Sequence, residues 1–503
     1  MSERLSAIAG HPRRLLGLIL LLSLLLKLLL LWSDPVVNRD AAVYVAAARH
    51  YAQGQFGAGL AQYPMPLYPL LLAAVHGLVP DWIRAGQLLS SLALVLCLLP
   101  LYSLGRRLFS PAAALATCLL FALLPTYNEA AVFLLRDPLF LLLALACLAQ
   151  LARYSARPGI GGVFVTLLLA LLATALRIEG LLLLALLPPL LLLITAANPA
   201  PGWRLKQVLR AGLLLVLLLA LFWELGWLEL AGVSRLGEAR QWLEGLVRLE
   251  LFTDYRQLLD QIKQLQRQLP GGHLANNLLE VTRHYAPLIY LLGLVEMLAT
   301  ALLPGTLLAL WPLWRAGRGF WSPARQVLLW PLLAFVALNL LFCLVHNFTT
   351  GRYLWLPLVL CLVLAGEGLQ GWRQWLASRP ALLALLLVLV YGVPAAKTLA
   401  LAQQADKNHS IRQAGYWLRH NDAPQRLRLL SNDSRFGLYA DRLALPWDRE
   451  LAERLSFAET LPAVDLVLLA LPARQRLVLP AGLVERATFH DGTMQVLVLA
   501  PGD

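Results

Sequence analysis

Apolar runs of near-membrane length, separated by short polar connections, dominate this chain. They fall at about 14–32, 82–104, 111–125, 137–154, 162–176, 180–195, 211–230, 287–313, 326–345, 354–370 and 381–400. A helix of about 20 apolar residues crosses a bilayer, so the pattern predicts about 11 transmembrane helices, several of them short. Other periods lie between the runs. Apolar positions recur at helical spacing over 40–53 and again from Tyr255 to Leu269, predicting amphipathic helices, the second broken by Pro270-Gly271-Gly272. The segment 67–79 is apolar but short, and suits a helix lying in the interface. From about 401 the pattern becomes that of a soluble domain. A helix is expected over Ser410–Asn421, strands at Leu427–Leu430 and Val464–Leu469, and a hairpin of 483–490 with 494–499 around Asp491-Gly492. The expected fold is a polytopic α-helical membrane protein, with residues 1–400 forming the membrane domain and 401–503 a small α/β domain.

Composition sharpens the picture. Of 503 residues 59% are hydrophobic and only 14% charged, with a mean hydropathy of +0.66. A soluble protein would carry about 25% charged residues. The net charge of +13 raises the question of nucleic acid. Its distribution argues against that partner, because the excess sits in short loops and no basic run is interleaved with aromatics. Cys97, Cys118, Cys147, Cys343 and Cys361 all lie inside apolar runs without metal-binding spacing, implying neither disulfides nor zinc. No small-residue cleavage site follows Trp32, so the first run reads as a retained helix.

Arginines set the orientation. Arg4, Arg13 and Arg14 precede the first run. Alternate connections then carry Arg106 and Arg107; Arg153 and Arg157; Arg204, Lys206 and Arg210; Arg315, Arg318 and Arg325; Arg373 and Arg379. None of those inter-span connections contains an acid. By the positive-inside rule they are cytoplasmic, which puts the N-terminus inside and the C-terminal domain outside. The outer segments, 33–81, 126–136, 231–286 and 346–353, instead mix acids, arginines, aromatics and prolines.

Candidate chemistry lies in these outer segments, in the tight outer tip Arg177-Ile178-Glu179 and at the outer start of the span opened by Asp137. Asp40, beside Arg39 and ahead of Tyr44, opens the first amphipathic helix and reads either as a helix cap or as a fixed base. Asp34 reads as a solvated loop acid. Asp137 opens an apolar span, where it can cap the helix, pair with Arg136 or serve a site. Glu129 is a loop acid or a third site carboxylate. Arg177 and Glu179 occupy a tight hairpin tip where their spacing compels no mutual salt bridge. Arg352-Tyr353 opens a span against the positive-inside trend. It is an interfacial anchor or a phosphate clamp, since guanidinium donors match phosphate oxygens. Tyr63, in Tyr63-Pro64-Met65-Pro66-Leu67-Tyr68-Pro69, and His346 are further candidates for binding substrate. Carboxylates and arginines thus gather on one face, suiting an anionic, membrane-borne substrate.

The pattern NRDAAVYVAAARHYAQG, YPMPLYPLLLA, LLRDPLFLLLALA, TALRIEGLLLL and TTGRYLWLPLVL resembles membrane glycosyltransferases of the GT-C class. The nearest group is the family 39-like one, with protein O-mannosyltransferases and the lipid A aminoarabinose transferase. The tail KNHSIRQAGYWLRHNDAPQRLRLLSNDSRFGLYADR is similar to the post-membrane segment of bacterial members. The resemblance implies a GT-C bundle that passes sugar from a polyprenyl-phosphate carrier to a lipid, polysaccharide or protein acceptor outside the cytoplasmic membrane. It implies Asp40 as base, Asp137 as second acid, and Arg352 and Tyr353 near the carrier phosphate; Arg177 is a further candidate to stabilise charge on that phosphate. Some relatives carry an Asp-Glu pair in the first loop. Here Arg39 and Ala41 flank Asp40, which favours a one-acid mechanism requiring no cofactor and leaves a divalent metal in doubt. The competing readings are a flippase of lipid-linked sugars and an O-antigen ligase or polymerase. The first would spread polar groups through the midplane and often repeat its halves; the second would favour a large late loop rich in Arg and His.

Overall fold

The computed structural model describes residues 11–33, 36–194, 252–268, 273–315, 317, 320–403, 409–421, 429–441, 444–446, 465–474 and 483–501, with scattered positions between 206 and 245. Asp34, most of the expected span 211–230, the loop from 231 to 243 and the Pro270-Gly271-Gly272 break lie outside the described residues. Among the described residues seven helices are long and apolar enough to cross a membrane: Pro12–Trp32, Trp82–Leu108, Asp137–Ala156, Ala275–Arg315, Pro323–His346, Gly351–Trp375 and Pro380–Gln403. Shorter apolar helices occupy Leu67–His76, Pro111–Leu123, Ile160–Leu176 and Gly180–Leu193. Every expected span within the described residues is helical, and the protein is a polytopic α-helical membrane protein. The chain divides into two compact units. One holds residues 1–23, 93–127 and 136–396; the other holds 24–92, 128–135 and 397–503.

In the first unit the helix Trp355–Trp375 is the most deeply packed, with every residue from Trp355 to Gly366 buried. Two glycines allow this. A Cβ on Gly366 would strike the Thr117 hydroxyl and the Ala113 carbonyl, and one on Gly368 would strike the Ala309 carbonyl. Small residues are how membrane helices approach closely enough to gain from packing. Helix starts follow local chemistry: the Ser110 hydroxyl accepts the Ala113 amide at 3.1 Å and Pro111 fills the first turn of Pro111–Leu123.

The helix His273–Arg315 starts well before the expected 287, because Asn276, Asn277, Glu280, Arg283 and His284 disguise its first turns as a polar loop. It kinks at Leu303 (φ 64°, ψ 153°), where Pro304 bars helical geometry in the preceding residue. Gly305 then lies against the Leu389 backbone, in the π-helical turn Val388–Gly392. The connections expected to be cytoplasmic gather arginines. Arg325 lies over Phe109 (4.7 Å) and Phe320 (4.6 Å) and donates to the Leu108 carbonyl at 3.3 Å, while Arg315 lies over Trp375.

In the second unit the alanine-rich helix Asp40–Ala52 buries Ala41, Tyr44, Val45, Ala47, Ala48 and Tyr51 and packs on the helix Leu67–His76. Residues 131–135 run irregularly, yet Gln87, Ser91 and Ser90 donate to the carbonyls of Val132, Ala131 and Leu135. Buried backbone in a membrane protein must be satisfied this way. Lys27, wholly buried, donates to Asn128 Oδ1 at 3.1 Å.

The C-terminal segment forms a five-stranded sheet of order β2-β1-β3-β5-β4, from β1 Leu429–Ser431, β2 Ala444–Pro446, β3 Leu466–Pro472, β4 Leu483–His490 and β5 Met494–Pro501. β1 is parallel to β2 and β3; β3-β5-β4 is antiparallel. Leu430, Val467, Leu469, Leu483, Leu497 and Leu499 form one core. The helix Ser410–Asn421, observed as His409–Asn421, and the hairpin are as expected, with Gly492 at φ 79° in its turn. The strand β2 and the short helix Arg435–Tyr439 were not foreseen from the sequence, being too short for any periodicity to mark.

Candidate active site

Two groups of the expected site residues take definite form, one in each unit. In the first unit the tip between Ile160–Leu176 and Gly180–Ile194 brings Arg177 to Asp137, at the start of the helix Asp137–Ala156. Arg177 Nη1 donates to Asp137 Oδ1 and Nη2 to Glu179 Oε1, while Nε donates to Glu179 Oε2 at 3.2 Å. The Arg177 and Asp137 side chains are each 5% exposed, and Glu179 is 25% exposed. The sequence spacing left a local Arg177–Glu179 pair uncompelled. The turn geometry supplies it, because residues 177–179 are not helical and so are free of the helical rule.

This cluster is electrostatically polarised. Burial alone would raise the Glu179 carboxyl, but Arg177 and, less strongly, Arg136 more than offset it and bring it down to about 2. Arg136 also donates to the Leu176 carbonyl at 3.1 Å, tying the two helix ends together. The Arg177 guanidinium lies 4.8 Å from the Tyr353 ring and 5.8 Å from that of Phe140. Tyr353 belongs to the 3-10 turn Gly351–Leu354, whose backbone Asn339 fixes by donating to the Tyr353 carbonyl at 3.2 Å. Phe342 packs edge-on to Tyr353 (5.1 Å) and against the exposed ring of His346 (4.6 Å). Arg352, half-buried, sits next to Tyr353 in the same turn. The arrangement is thus a buried Asp-Arg-Glu cluster roofed by a tyrosine, with a second arginine and a histidine beside it.

In the second unit Asp40 is the first residue of its helix and is half-buried. The loop before it is held from two sides. Asn38 donates to the Leu134 carbonyl at 3.1 Å and accepts the Leu134 amide at 2.9 Å. Arg39 Nε donates to Asp433 Oδ2 at 3.2 Å, and the Val37 amide donates to the Tyr439 hydroxyl at 2.9 Å. Tyr44 and Tyr63 are buried, with ring centroids 5.0 Å apart, and Tyr68 closes on Tyr44 at 4.9 Å. Glu129 is exposed.

Sequence reasoning overlooked Asn38, Asp433, Arg435 and Tyr439. Asn38 could have been noticed as a polar neighbour of Asp40. The other three lie within the tail stretch SNDSRFGLYADR, but nothing in the sequence says which outer segment that stretch meets. Among the described residues no group of three or more His, Cys, Asp or Glu side chains is placed to hold a metal ion.

No protein-family model matches the chain, and no curated protein matches it in sequence. Its fold, however, matches solved structures over most of its length. The oligosaccharyltransferase of Archaeoglobus fulgidus in its apo form superposes with a TM-score of 0.55 and 13% identity, over 91% of this chain and 69% of that one. ArnT from Cupriavidus metallidurans in the apo state gives a TM-score of 0.55 and 14% identity over 96% and 98% of the two chains. The same ArnT bound to undecaprenyl phosphate gives 0.56 and 15%, over 96% and 97%. These are GT-C glycosyltransferases, and this chain has the GT-C fold with its small C-terminal domain.

Proposed function

We propose that this protein is an inverting glycosyltransferase that moves a sugar from a polyprenyl-phosphate donor to an acceptor at the outer face of the cytoplasmic membrane. The observation that carries the reading is fold likeness over nearly the whole of both chains to an ArnT bound to undecaprenyl phosphate. Asp40, half-buried at the start of a helix whose preceding loop is held from two sides, supports it further. The N-terminus lies inside and the C-terminal domain outside, the orientation the arginine distribution favours.

In this reading Asp40 accepts the proton of the acceptor hydroxyl as its oxygen attacks the anomeric carbon. The bond from that carbon to the phosphate oxygen breaks, and polyprenyl phosphate leaves. A phosphate needs no general acid, so the task left to the protein is to stabilise charge on its oxygens. Arg352 takes that task. Arg177 already serves two carboxylates, and its contribution to the phosphate is indirect: with Asp137 and Glu179 it holds the base on which Tyr353 and Arg352 stand. Tyr44 and Tyr63 shape the wall behind Asp40. The reading requires no metal.

The test is transfer of labelled sugar from a panel of synthetic polyprenyl-phosphate sugars by purified protein, wild type beside Asp40→Asn, with and without chelator. Release of polyprenyl phosphate by wild type, reduced at least 100-fold in Asp40→Asn, is expected from the weight of a general base (about 10²–10⁴-fold). Full release by Asp40→Asn would remove that residue from the chemistry. Movement of donor across proteoliposomes without any release would replace the enzyme by a flippase.

A further inference from the structure

The C-terminal segment reaches the Asp40 loop through a small, fully paired polar assembly that the proposed chemistry does not yet use. Asp433 has a side chain 1% exposed and that of Arg435 is 10% exposed. Arg435 grips Asp433 through two parallel bonds, Nε to Oδ1 at 2.9 Å and Nη2 to Oδ2 at 2.8 Å, and its amide adds a third at 3.0 Å. Ser431 closes the turn, its hydroxyl donating to the Asp433 carbonyl and accepting the Asp433 amide, each at 3.0 Å. Burial works against ionising Asp433, yet Arg435 and then Arg39 overcome it and leave the carboxyl below its ordinary range.

What this assembly grips is residues 37–39. Asp433 accepts from Arg39 Nε, Arg435 Nη1 reaches the Val37 carbonyl at 3.5 Å, Ser434 donates to the Arg39 carbonyl at 3.3 Å, and the Tyr439 hydroxyl accepts the Val37 amide at 2.9 Å. Asn38, between them, is bound to Leu134 on its other side. Both backbone groups of Val37 and the carbonyl of Arg39 are therefore anchored immediately ahead of Asp40. The anchor is itself closely packed. Gly415, in the helix His409–Asn421, lies so close to Tyr439 that a Cβ there would strike the tyrosine Cβ, and Tyr416 packs edge-on to the Tyr439 ring at 5.6 Å.

We propose that Asp433, Arg435 and Tyr439 are positioning residues that set the placement of Asp40, so that the C-terminal domain acts on the transfer step itself. This rests on the reading of Asp40 as base. A base must stand within hydrogen-bond reach of the proton it takes, and a displacement of about 1 Å can cost about 100-fold in rate. A chain that needed the C-terminal domain only as a cover would have no reason to spend a buried ion pair and a tyrosine hydroxyl on three backbone residues. A bidentate guanidinium–carboxylate pair fixes orientation as well as separation.

The experiment uses the full chain in nanodiscs, with Tyr439→Phe, which removes one oxygen, and Asp433→Asn, which keeps the shape and removes the charge. Two readouts are taken on each: steady-state transfer, and hydrogen exchange of the peptides covering 36–45. The expected result is faster exchange at Val37–Arg39, a fall in kcat of at least about tenfold and a donor KM within twofold of wild type. Arg435→Lys, which keeps charge but loses the paired geometry, should fall between wild type and Asp433→Asn. Faster exchange with unchanged kcat would reduce the assembly to a structural tether and overturn the proposal, as would unchanged exchange in both variants. A rise in donor KM matching the fall in kcat would also overturn it, by pointing to general distortion. If wild type transfers no sugar, or Asp40→Asn transfers at full rate, the reading of the base fails. The exchange data alone then report whether the loop is held.

Discussion

Replacing Arg177 by leucine probes the buried cluster most directly. In the folded protein Arg177 is the common partner of Asp137 and Glu179, and both it and Asp137 are almost fully enclosed. Glu179 carries a carboxyl moved from 4.5 to about 2, a preference for the charged form worth about 3 kcal/mol. Arg177→Leu removes the partner, leaves the enclosed Asp137 carboxylate without it, and leaves Glu179 with Arg136 as its remaining cation. Breaking a buried pair by deleting one member costs about 3–5 kcal/mol.

The sign of the pH response separates this account from simple loss of packing. In wild type Glu179 has a depressed pKa, so its contribution is complete above pH 4.5 and is lost as pH falls towards 2. In Arg177→Leu the Glu179 carboxyl loses the main cation that offsets its burial and rises, so that variant should gain stability as pH falls from 8 to 5. Thermal unfolding in detergent, followed by tryptophan fluorescence, measures both effects. The triple variant Arg177→Leu, Asp137→Leu, Glu179→Gln should recover part of the loss, since it removes Arg177 and both its carboxylates together and leaves only the half-buried Arg136. An Arg177→Leu protein as stable as wild type at pH 7.5, or one that loses stability on acidification, would refute the electrostatic account.

Arg352→Ala should raise the donor KM and lower kcat/KM by about 10- to 100-fold, the weight of charge-assisted hydrogen bonds, while acceptor KM stays unchanged; steady-state kinetics with varied donor reads this. Gly366→Leu should prevent the helix Trp355–Trp375 from seating on Thr117 and Ala113, and size-exclusion chromatography of the detergent extract should show no monodisperse protein. Asp491 accepts from Ser410, Thr493 and Met494, so it both caps the helix His409–Asn421 and closes the β4–β5 turn. Asp491→Ala should cost about 1 kcal/mol. Burial opposes the Asp491 charge, but these donors hold its carboxyl down at about 2, so its contribution is present above about pH 4 and fades as pH falls through 2. Hydrogen exchange of the hairpin across that range checks the sign.

The membrane architecture was legible because each span carries its own signal. A run such as 326–345 or 354–370 needs no knowledge of its neighbours to be read as a helix. The start of His273–Arg315 was misplaced for the same reason, as a helix whose first turns are polar gives no run to count. The sites divide along that line too. Asp137, Arg177, Glu179 and Tyr353 could be named as candidates from their places at span ends, and Asp40 from its place at the start of an amphipathic helix. The pairing of Arg177 with Asp137 could not, since it joins residues 40 apart in the chain. The anchoring of Val37 by Tyr439 spans 402 positions. No period or short motif encodes a contact at that range, and one sequence supplies no covariation to replace it.

The pairing of Arg177 changes which cation a lipid phosphate would meet. A guanidinium has five donors, and three of those on Arg177 already go to carboxylates. With Asp137 and Glu179 both ionised, the three charges sum to about −1. A phosphate brought up to them would be repelled by the group taken whole, even though the arginine attracts it. Arg136 restores the balance to near zero, so the four charges form a neutral platform that stabilises the helix ends without drawing an anion. Attraction must then come from a cation outside that platform, and Arg352 is the one the chain places next to Tyr353, on the platform's roof. On this argument the cost of losing Arg177 falls on folding, and the cost of losing Arg352 falls on donor binding. The two substitutions should therefore fail in different assays, although their residues sit on either side of one tyrosine.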